Sequence, residues 1–416
     1  MDKRVYSEHR TALMNEIDNN SIVILFAGHA PKKTGDEVYK FTPDRNFYYL
    51  TGVSEESHIV VLSKFNNEVN EKLFLKEIDL EKEMWNGKTL RDSEAKEISG
   101  IEDTVYMNEF NGYLNRLLKG AAEANLYIDL DRQSYDEEDS NGTKFVNVFK
   151  DKYPHVVIKN LSSKITPLRM IKSKEEIEEM QKAIDITRDG IKSLMKNAKA
   201  GMKEYELEAY FDFACKTRGV KDLAFRTIAA AGKNATTLHY VENNSEIKND
   251  DLILFDLGAQ WNYYSADVTR TLPVGGKFTD RQKEVYEAVL RVNKAVIEKI
   301  KPGVVYRDLN TWATDLIAEE CIKLGIIKEK SEVSRYYWHS IGHNLGLDTH
   351  DVEPQGRNFV FGEGMVFTVE PGIYIAEEGI GIRIEDDVLV TADGCEVLTK
   401  EIIKEVKDIE AFMSNN

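Results

Sequence analysis

Residues 252–272 read LILFDLGAQWNYYSADVTRTL: an apolar run broken by one aspartate, a polar turn, then a second run opened by another. Short β-branched and apolar runs bounded by glycine and polar residues predict strands. Residues 252–258 and 266–272 therefore pair as a hairpin across QWNYY, with Asp256 and Asp267 side by side. A carboxylate on a buried strand is costly to desolvate and persists only when paired with a cation. Two further apolar strands carry the same interruption: MVFTVE (365–370) ends in Glu370, and GIRIEDDVLV (381–390) holds Glu385. The organic cations nearby are Arg270 and Arg383, so metal ions are the simpler way to neutralise four acids on greasy strands.

Histidine placement points the same way. After residue 160 the histidines are His239, His339, His343 and His350, three of them in HSIGHNLGLDTHD (339–351), a glycine-bearing stretch that reads as loop. His339 and His343 stand at i, i+4, but Gly342 and the missing glutamate of an H-E-x-x-H helix argue against the zinc peptidases of that kind. Four carboxylates and one neutral imidazole are balanced by two divalent ions. Oxygen-rich ligation with a single nitrogen fits Mn(II), Co(II) or Zn(II) better than a thiolate-selecting metal. Two such ions roughly 3.5–4 Å apart bridge a hydroxide and stabilise a tetrahedral intermediate, so acyl-bond hydrolysis is the expected chemistry.

Outward from this stretch, helices are predicted over residues 203–217, 280–300 and 305–324. The second half reads as two helices then strands, repeated, an α+β pattern that suggests a diverged internal duplication. The first half is α/β, with strands at 21–26, 58–62, 72–75, 126–130 and 155–158 and helical patterning over 109–118. The character changes within LSSKITPLRMIKSKEEIEEM (161–180), where Pro167 disfavours helix at Thr166. There Ser173 and Glu176 form a capping box, and Ile177, Met180, Ile184, Ile191 and Leu194 share one helical face. This reading gives two domains, 1–165 and 166–416.

Composition limits the function classes. At 416 residues the chain exceeds what one core organises, and 42% hydrophobic with 31% charged residues marks an ordinary globular protein. With 72 acidic against 55 basic residues, the net charge of −17 argues against nucleic-acid or membrane-surface partners. No apolar run approaches the ~20 residues of a membrane span, and the N-terminus lacks a secretory pattern. Cys215, Cys321 and Cys395 are too few and too scattered for a disulfide framework, which points to a reducing cytoplasm.

LILFDLG…SADVTRT, HSIGHNLGLDTHD, VFTVEPGIY and GIRIEDD resemble, in order, the motifs of the pita-bread metallopeptidases: methionine aminopeptidases, prolidases and aminopeptidase P. The likeness runs through nearly all of residues 165–410. It implies Asp256, Asp267, His343, Glu370 and Glu385 as ligands of two metal ions. It also implies an α/β N-terminal domain on a mixed sheet, then a pseudo-twofold curved antiparallel sheet flanked by helices. GDEVYKFTPDRNFYYLTGV (35–53) is similar to the N-terminal domain of aminopeptidase P, which methionine aminopeptidases lack.

The resemblance therefore implies removal of the N-terminal residue from peptides with proline in second position. It makes Glu370 the general base, His239 and His350 substrate-binding and oxyanion-stabilising, and His339 a lining of the proline side. EMWNGKTL (83–90) matches a region whose tryptophan, here Trp85, reaches a neighbouring subunit's site, and a homodimer or homotetramer is implied with it. Arg383 holds a ligand carboxylate or Tyr374, or forms a plain salt bridge, and Asp36 matches an aspartate that touches that arginine. One departure is the short span between Glu370 and Glu385, which leaves cleft shape and peptide length open. The rival reading within the family is prolidase, cleaving only Xaa-Pro dipeptides. A metal-free binding module and a metal-free enzyme such as creatinase are disfavoured, because all five ligand positions are filled.

Overall fold

The first unit is built on the β-branched runs. The computed structural model describes residues 1–121 and 123–414 and divides into Met1–Arg169 and Met170–Asn416. Strands Ser21–Phe26, Ile59–Phe65, Glu68–Leu75, Ala124–Ile128 and Val156–Asn160 form at the expected places, with Thr104–Tyr106 added at one edge. Ile59–Phe65 runs antiparallel to both its neighbours, whereas Ser21–Phe26, Ala124–Ile128 and Val156–Asn160 run parallel, so the sheet is mixed. Ile22, Ile24, Val61 and Phe74 alternate onto one face, and helix Phe110–Leu118 covers them with Phe110, Leu114 and Leu118 at helical spacing.

One expectation fails here. Helix Ser162–Met170 runs straight through Thr166 and Pro167. Pro167 forfeits a backbone hydrogen bond, but the helix buries Ile165 and Met170, and that burial outweighs the local preference.

In the second unit the long helix Lys174–Asn197 begins at the capping box: Ser173 Oγ accepts Glu176 N–H at 3.2 Å while Glu176 returns the bond to Ser173 N–H at 2.8 Å. The other Glu176 oxygen accepts the Tyr264 hydroxyl at 2.9 Å, which ties the helix start to the hairpin. Strand Leu252–Leu257 is buried throughout, between antiparallel partners Ile228–Ala231 and Val268–Pro273. QWNYY is more than a turn. Ala259–Trp261 and Tyr264–Ser265 pair with each other around Asn262 and Tyr263, both at positive φ (46° and 67°), as a tight two-residue hairpin loop requires.

Helices Asp280–Lys299 and Tyr306–Lys323 precede the second set of strands. The single strand expected over 381–390 is two. Ile380–Arg383 pairs with Gly372–Ile375, and Asp386–Val390 pairs with Val366–Val369. The chain changes partner at Ile384 and Glu385, so Glu385 sits at a corner, its N–H bonded to the Thr269 carbonyl at 3.1 Å. Among the described residues no helix is long and apolar enough to cross a membrane.

Candidate metal centre

Strand alternation decides which side chains meet. Thr269 and Thr271 follow Asp267 at period two and stay on the cluster side: Thr269 Oγ1 donates to Glu385 Oε2 at 2.7 Å, and Thr271 Oγ1 donates to the Arg383 carbonyl at 3.1 Å. Arg270 points the other way and pairs with Asp386 at 2.8 Å, both side chains 1% exposed. Of the two cations weighed from sequence, only Arg383 faces the cluster. Lys404 joins Arg270 on Asp386, which holds that carboxyl well below the usual range despite its burial.

Around the corner the acids converge. His343 Nε2 lies 3.4 Å from Asp267 Oδ2 and 3.7 Å from Glu370 Oε1. Asp267, His343 and Glu385 each offer a ligand atom within 4.8 Å of the others. Asp256 gives one oxygen to Arg383 Nη2 at 2.6 Å, and its other oxygen is buried with no partner. All five side chains line one cavity of about 650 Å³. Burial, and then the charge of Asp256, pushes the Asp267 carboxyl well above its ordinary range. Burial, and then Asp267, does the same to Glu385, and Glu370 is raised chiefly by burial. Arg383 is the arginine hydrogen-bonded to these acids, and Arg357 acts on Glu370 from the cavity wall, which still leaves the four carboxyls short of positive charge. The orphaned Asp256 oxygen and the oxygen-plus-imidazole donor set fit divalent cations.

Second contacts fix the orientation of each donor. His343 Nδ1 donates to the Asn344 carbonyl at 3.0 Å, leaving Nε2 for the acids. His339 Nδ1 donates to the Ser340 carbonyl and its Nε2 accepts the Tyr374 hydroxyl, both at 2.9 Å. Tyr374 in turn accepts from Arg383 Nη1 at 3.1 Å, so Asp256, Arg383, Tyr374 and His339 form one chain. Burial lowers His339 to about 3, which keeps it neutral. His350 stacks edge-on to His343 with ring centres 4.4 Å apart, and burial followed by the facing His343 lowers it to about 4. His239 and His350 both line the cavity and are not hydrogen-bonded to other described residues.

The histidine stretch forms neither helix nor strand. A Cβ at Gly342 would stand 1.9 Å from the Thr368 carbonyl oxygen, so the approach needs glycine. Asn310 Oδ1 accepts Ile341 N–H at 2.8 Å, Tyr306 donates its hydroxyl to the Gly342 carbonyl at 3.1 Å, and Thr368 Oγ1 accepts His343 N–H at 3.0 Å. Sequence reading missed all of these, as it missed Thr269. The two threonines carried a signal, since each stands two residues from an acid on the same strand face. Tyr306 and Asn310 carried none beyond helical patterning. Trp85 and Asp36 belong to the first unit. Trp85 is 82% exposed on Leu80–Asn86, a helix that buries none of its residues, and Asp36 is exposed in the turn between Lys32–Thr34 and Glu37–Val38.

Known proteins are similar to this chain over nearly all of its length. The family described as metallopeptidase family M24 matches residues 178–392, and the aminopeptidase P N-terminal domain matches residues 6–127. The chain is 32% identical to "Intermediate cleaving peptidase 55, mitochondrial" of Arabidopsis thaliana, over 99% of this chain and 83% of the relative. It is 32% identical to the Xaa-Pro aminopeptidase of Haemophilus influenzae, over 100% and 98%. A solved structure from Bacillus anthracis is 47% identical, covers 100% of this chain and 99% of its own, and superposes with a TM-score of 0.97. With one family model over the second unit and another over the first, the chain belongs to metallopeptidase family M24, enzymes of the pita-bread fold.

Proposed function

We propose that the protein is an Xaa-Pro aminopeptidase that removes the first residue of peptides with proline in second position. The observation that carries this reading is the buried cluster of Asp256, Asp267, His343, Glu370 and Glu385 on one cavity, in a chain whose first unit is of the aminopeptidase P type. Those five residues would hold two divalent ions, Mn(II) by preference. When bound, the ions supply Lewis-acid polarisation of the scissile carbonyl and a water nucleophile at neutral pH.

The chain's own groups do the rest. Glu370 takes the proton of the attacking water on a carboxylate oxygen and returns it to the leaving imide nitrogen, a role served by its raised pKa. His239 and His350, with ring nitrogens open to the cavity, bind the substrate and donate to the oxygen on which charge develops. His339 has both nitrogens engaged and serves as a neutral wall for the proline ring. Arg383 keeps one Asp256 oxygen occupied, and the other would be available to hold a metal ion. The peptide's free amine lies toward the acids, fixing cleavage at the first bond.

In this reading the enzyme works in the cytosol, where free Cys215, Cys321 and Cys395 stay reduced. It assembles as a homodimer or homotetramer, with exposed Trp85 offered to a neighbouring subunit. Prolidase is the rival. Hydrolysis of Xaa-Pro-Xaa tripeptides, Xaa-Pro dipeptides and proline-free tripeptides, each with Mn, Co and Zn, separates them. Cleavage of tripeptides with proline second is expected. Cleavage of dipeptides alone would make the protein a prolidase, and equal cleavage of proline-free peptides would remove the proline requirement.

A further inference from the structure

The histidine stretch owes its position to individual bonds, and the bonds at Ile341, Gly342 and His343 are between neutral groups. At its far end stands an ion pair. Lys172 Nζ donates to Asp351 Oδ2 at 3.0 Å, with both side chains 1% exposed. Locally Lys172 Nζ reaches the Met170 carbonyl, at 3.4 Å. Lys172 immediately precedes Ser173, the cap of the long helix, where the helix dipole opposes a cation. Burial of an ammonium is unfavourable in its own right, and Asp351 offsets it. The Lys172 backbone is fixed as well, its N–H on the Gly364 carbonyl at 2.9 Å.

Asp351 links this pair to the metal centre. It comes directly after His350, and its N–H donates to the Asn344 carbonyl at 2.9 Å. That same carbonyl accepts His343 Nδ1 at 3.0 Å. Between them the loop wraps closely around the pair. A Cβ on Gly346 would stand 2.3 Å from Asp351 Oδ2 and 2.9 Å from Lys172 Cε. The Gly346 carbonyl accepts Ser265 N–H at 2.8 Å, two residues before Asp267. One buried charge pair thus secures the acceptor that sets the His343 tautomer, the residue beside His350, and the approach of the loop to the Asp267 strand.

We infer that Lys172, acting through Asp351, is a positioning residue for His343: the pair holds the Asn344 carbonyl where it takes the Nδ1 proton and leaves Nε2 to bind metal. This rests on His343 being a metal ligand, as in the proposed function. The test uses Co(II) alone as probe on the purified full-length chain, reading its affinity and visible absorption bands beside the melting temperature. Lys172→Met takes the ammonium away from buried Asp351 and is expected to lower the melting temperature. The double variant Lys172→Met, Asp351→Leu removes both charges at similar volume and is expected to fold. The double variant should bind Co(II) at least tenfold more weakly with shifted bands, and Lys172→Arg should return affinity to within threefold of the wild type. Asp351→Asn, which keeps size and an acceptor oxygen, supplies a second folded variant and should lose affinity too. Wild-type Co(II) affinity and spectrum in either folded variant would overturn the inference and leave the pair a matter of stability alone. A wild-type chain that binds no Co(II) would instead overturn the metal centre itself.

Discussion

At the scale of single residues, Tyr374 shows how the site is held. It is 1% exposed, and its hydroxyl accepts from Arg383 and donates to His339. Tyr374→Phe removes the oxygen but keeps the ring, so two buried nitrogens lose their partner at once. An unsatisfied buried polar group costs about 1–3 kcal/mol, and urea unfolding of the metal-free variant should show a loss of that size. His339 then keeps only its bond to the Ser340 carbonyl, so in the proposed role its ring is held less firmly against the proline side. KM for a tripeptide with proline second is expected to rise about tenfold, the equivalent of one hydrogen bond, with kcat less affected. Unchanged stability together with unchanged KM would detach His339 from this chain of contacts.

Among elements, the hairpin that carries the two aspartates is closely constrained. Gly258 closes strand Leu252–Leu257, and a Cβ there would lie 1.8 Å from the Ala266 carbonyl oxygen. Gly258→Ala must push the two limbs apart, at a cost of about 1–3 kcal/mol or more by overpacking. Gly394→Ala, whose Cβ would meet nothing within 4 Å, is the control. Thermal melts should separate the two variants by several degrees; equal melting temperatures would mean the limbs can part at little cost. The same hairpin shows what a sequence carries. Residues 252–257 declare a strand because their apolar run is local, and Ser173 with Glu176 declares a helix start because the cap is local. Acids on such strands report themselves, since each needs a cation. The break at Ile384 and the helix through Pro167 are decided by which partner each segment meets, which no window of sequence contains. Arg270 and Arg383 look alike in sequence, and strand alternation alone sends Arg270 to Asp386 and Arg383 to Asp256.

For the molecule as a whole, the buried acid cluster ties stability to pH, and the sign can be worked out. Asp267, Glu370 and Glu385 have raised pKa values in the folded chain, from burial and mutual repulsion. In the unfolded chain they titrate in the ordinary carboxylate range, so the folded, metal-free protein binds more protons there. That contribution to stability is fully present at acid pH and is lost as pH rises through the raised values. Divalent ions prefer deprotonated carboxylates and, where His343 serves as the proposed ligand, compete with protons for it, so their binding is favoured in the direction in which the metal-free chain weakens. The net charge of −17 adds a long-range pull on cations that also strengthens as acids ionise. The difference in melting temperature between Mn(II)-loaded and chelator-stripped protein should therefore widen steadily from about pH 5 to about pH 8. Titration calorimetry at the acid end, in buffers of different ionisation enthalpy, should show protons released as Mn(II) binds. A difference that stays flat, with no proton release, would mean these carboxyls do not ionise around a common cation, because acids that share one must give up their protons to it.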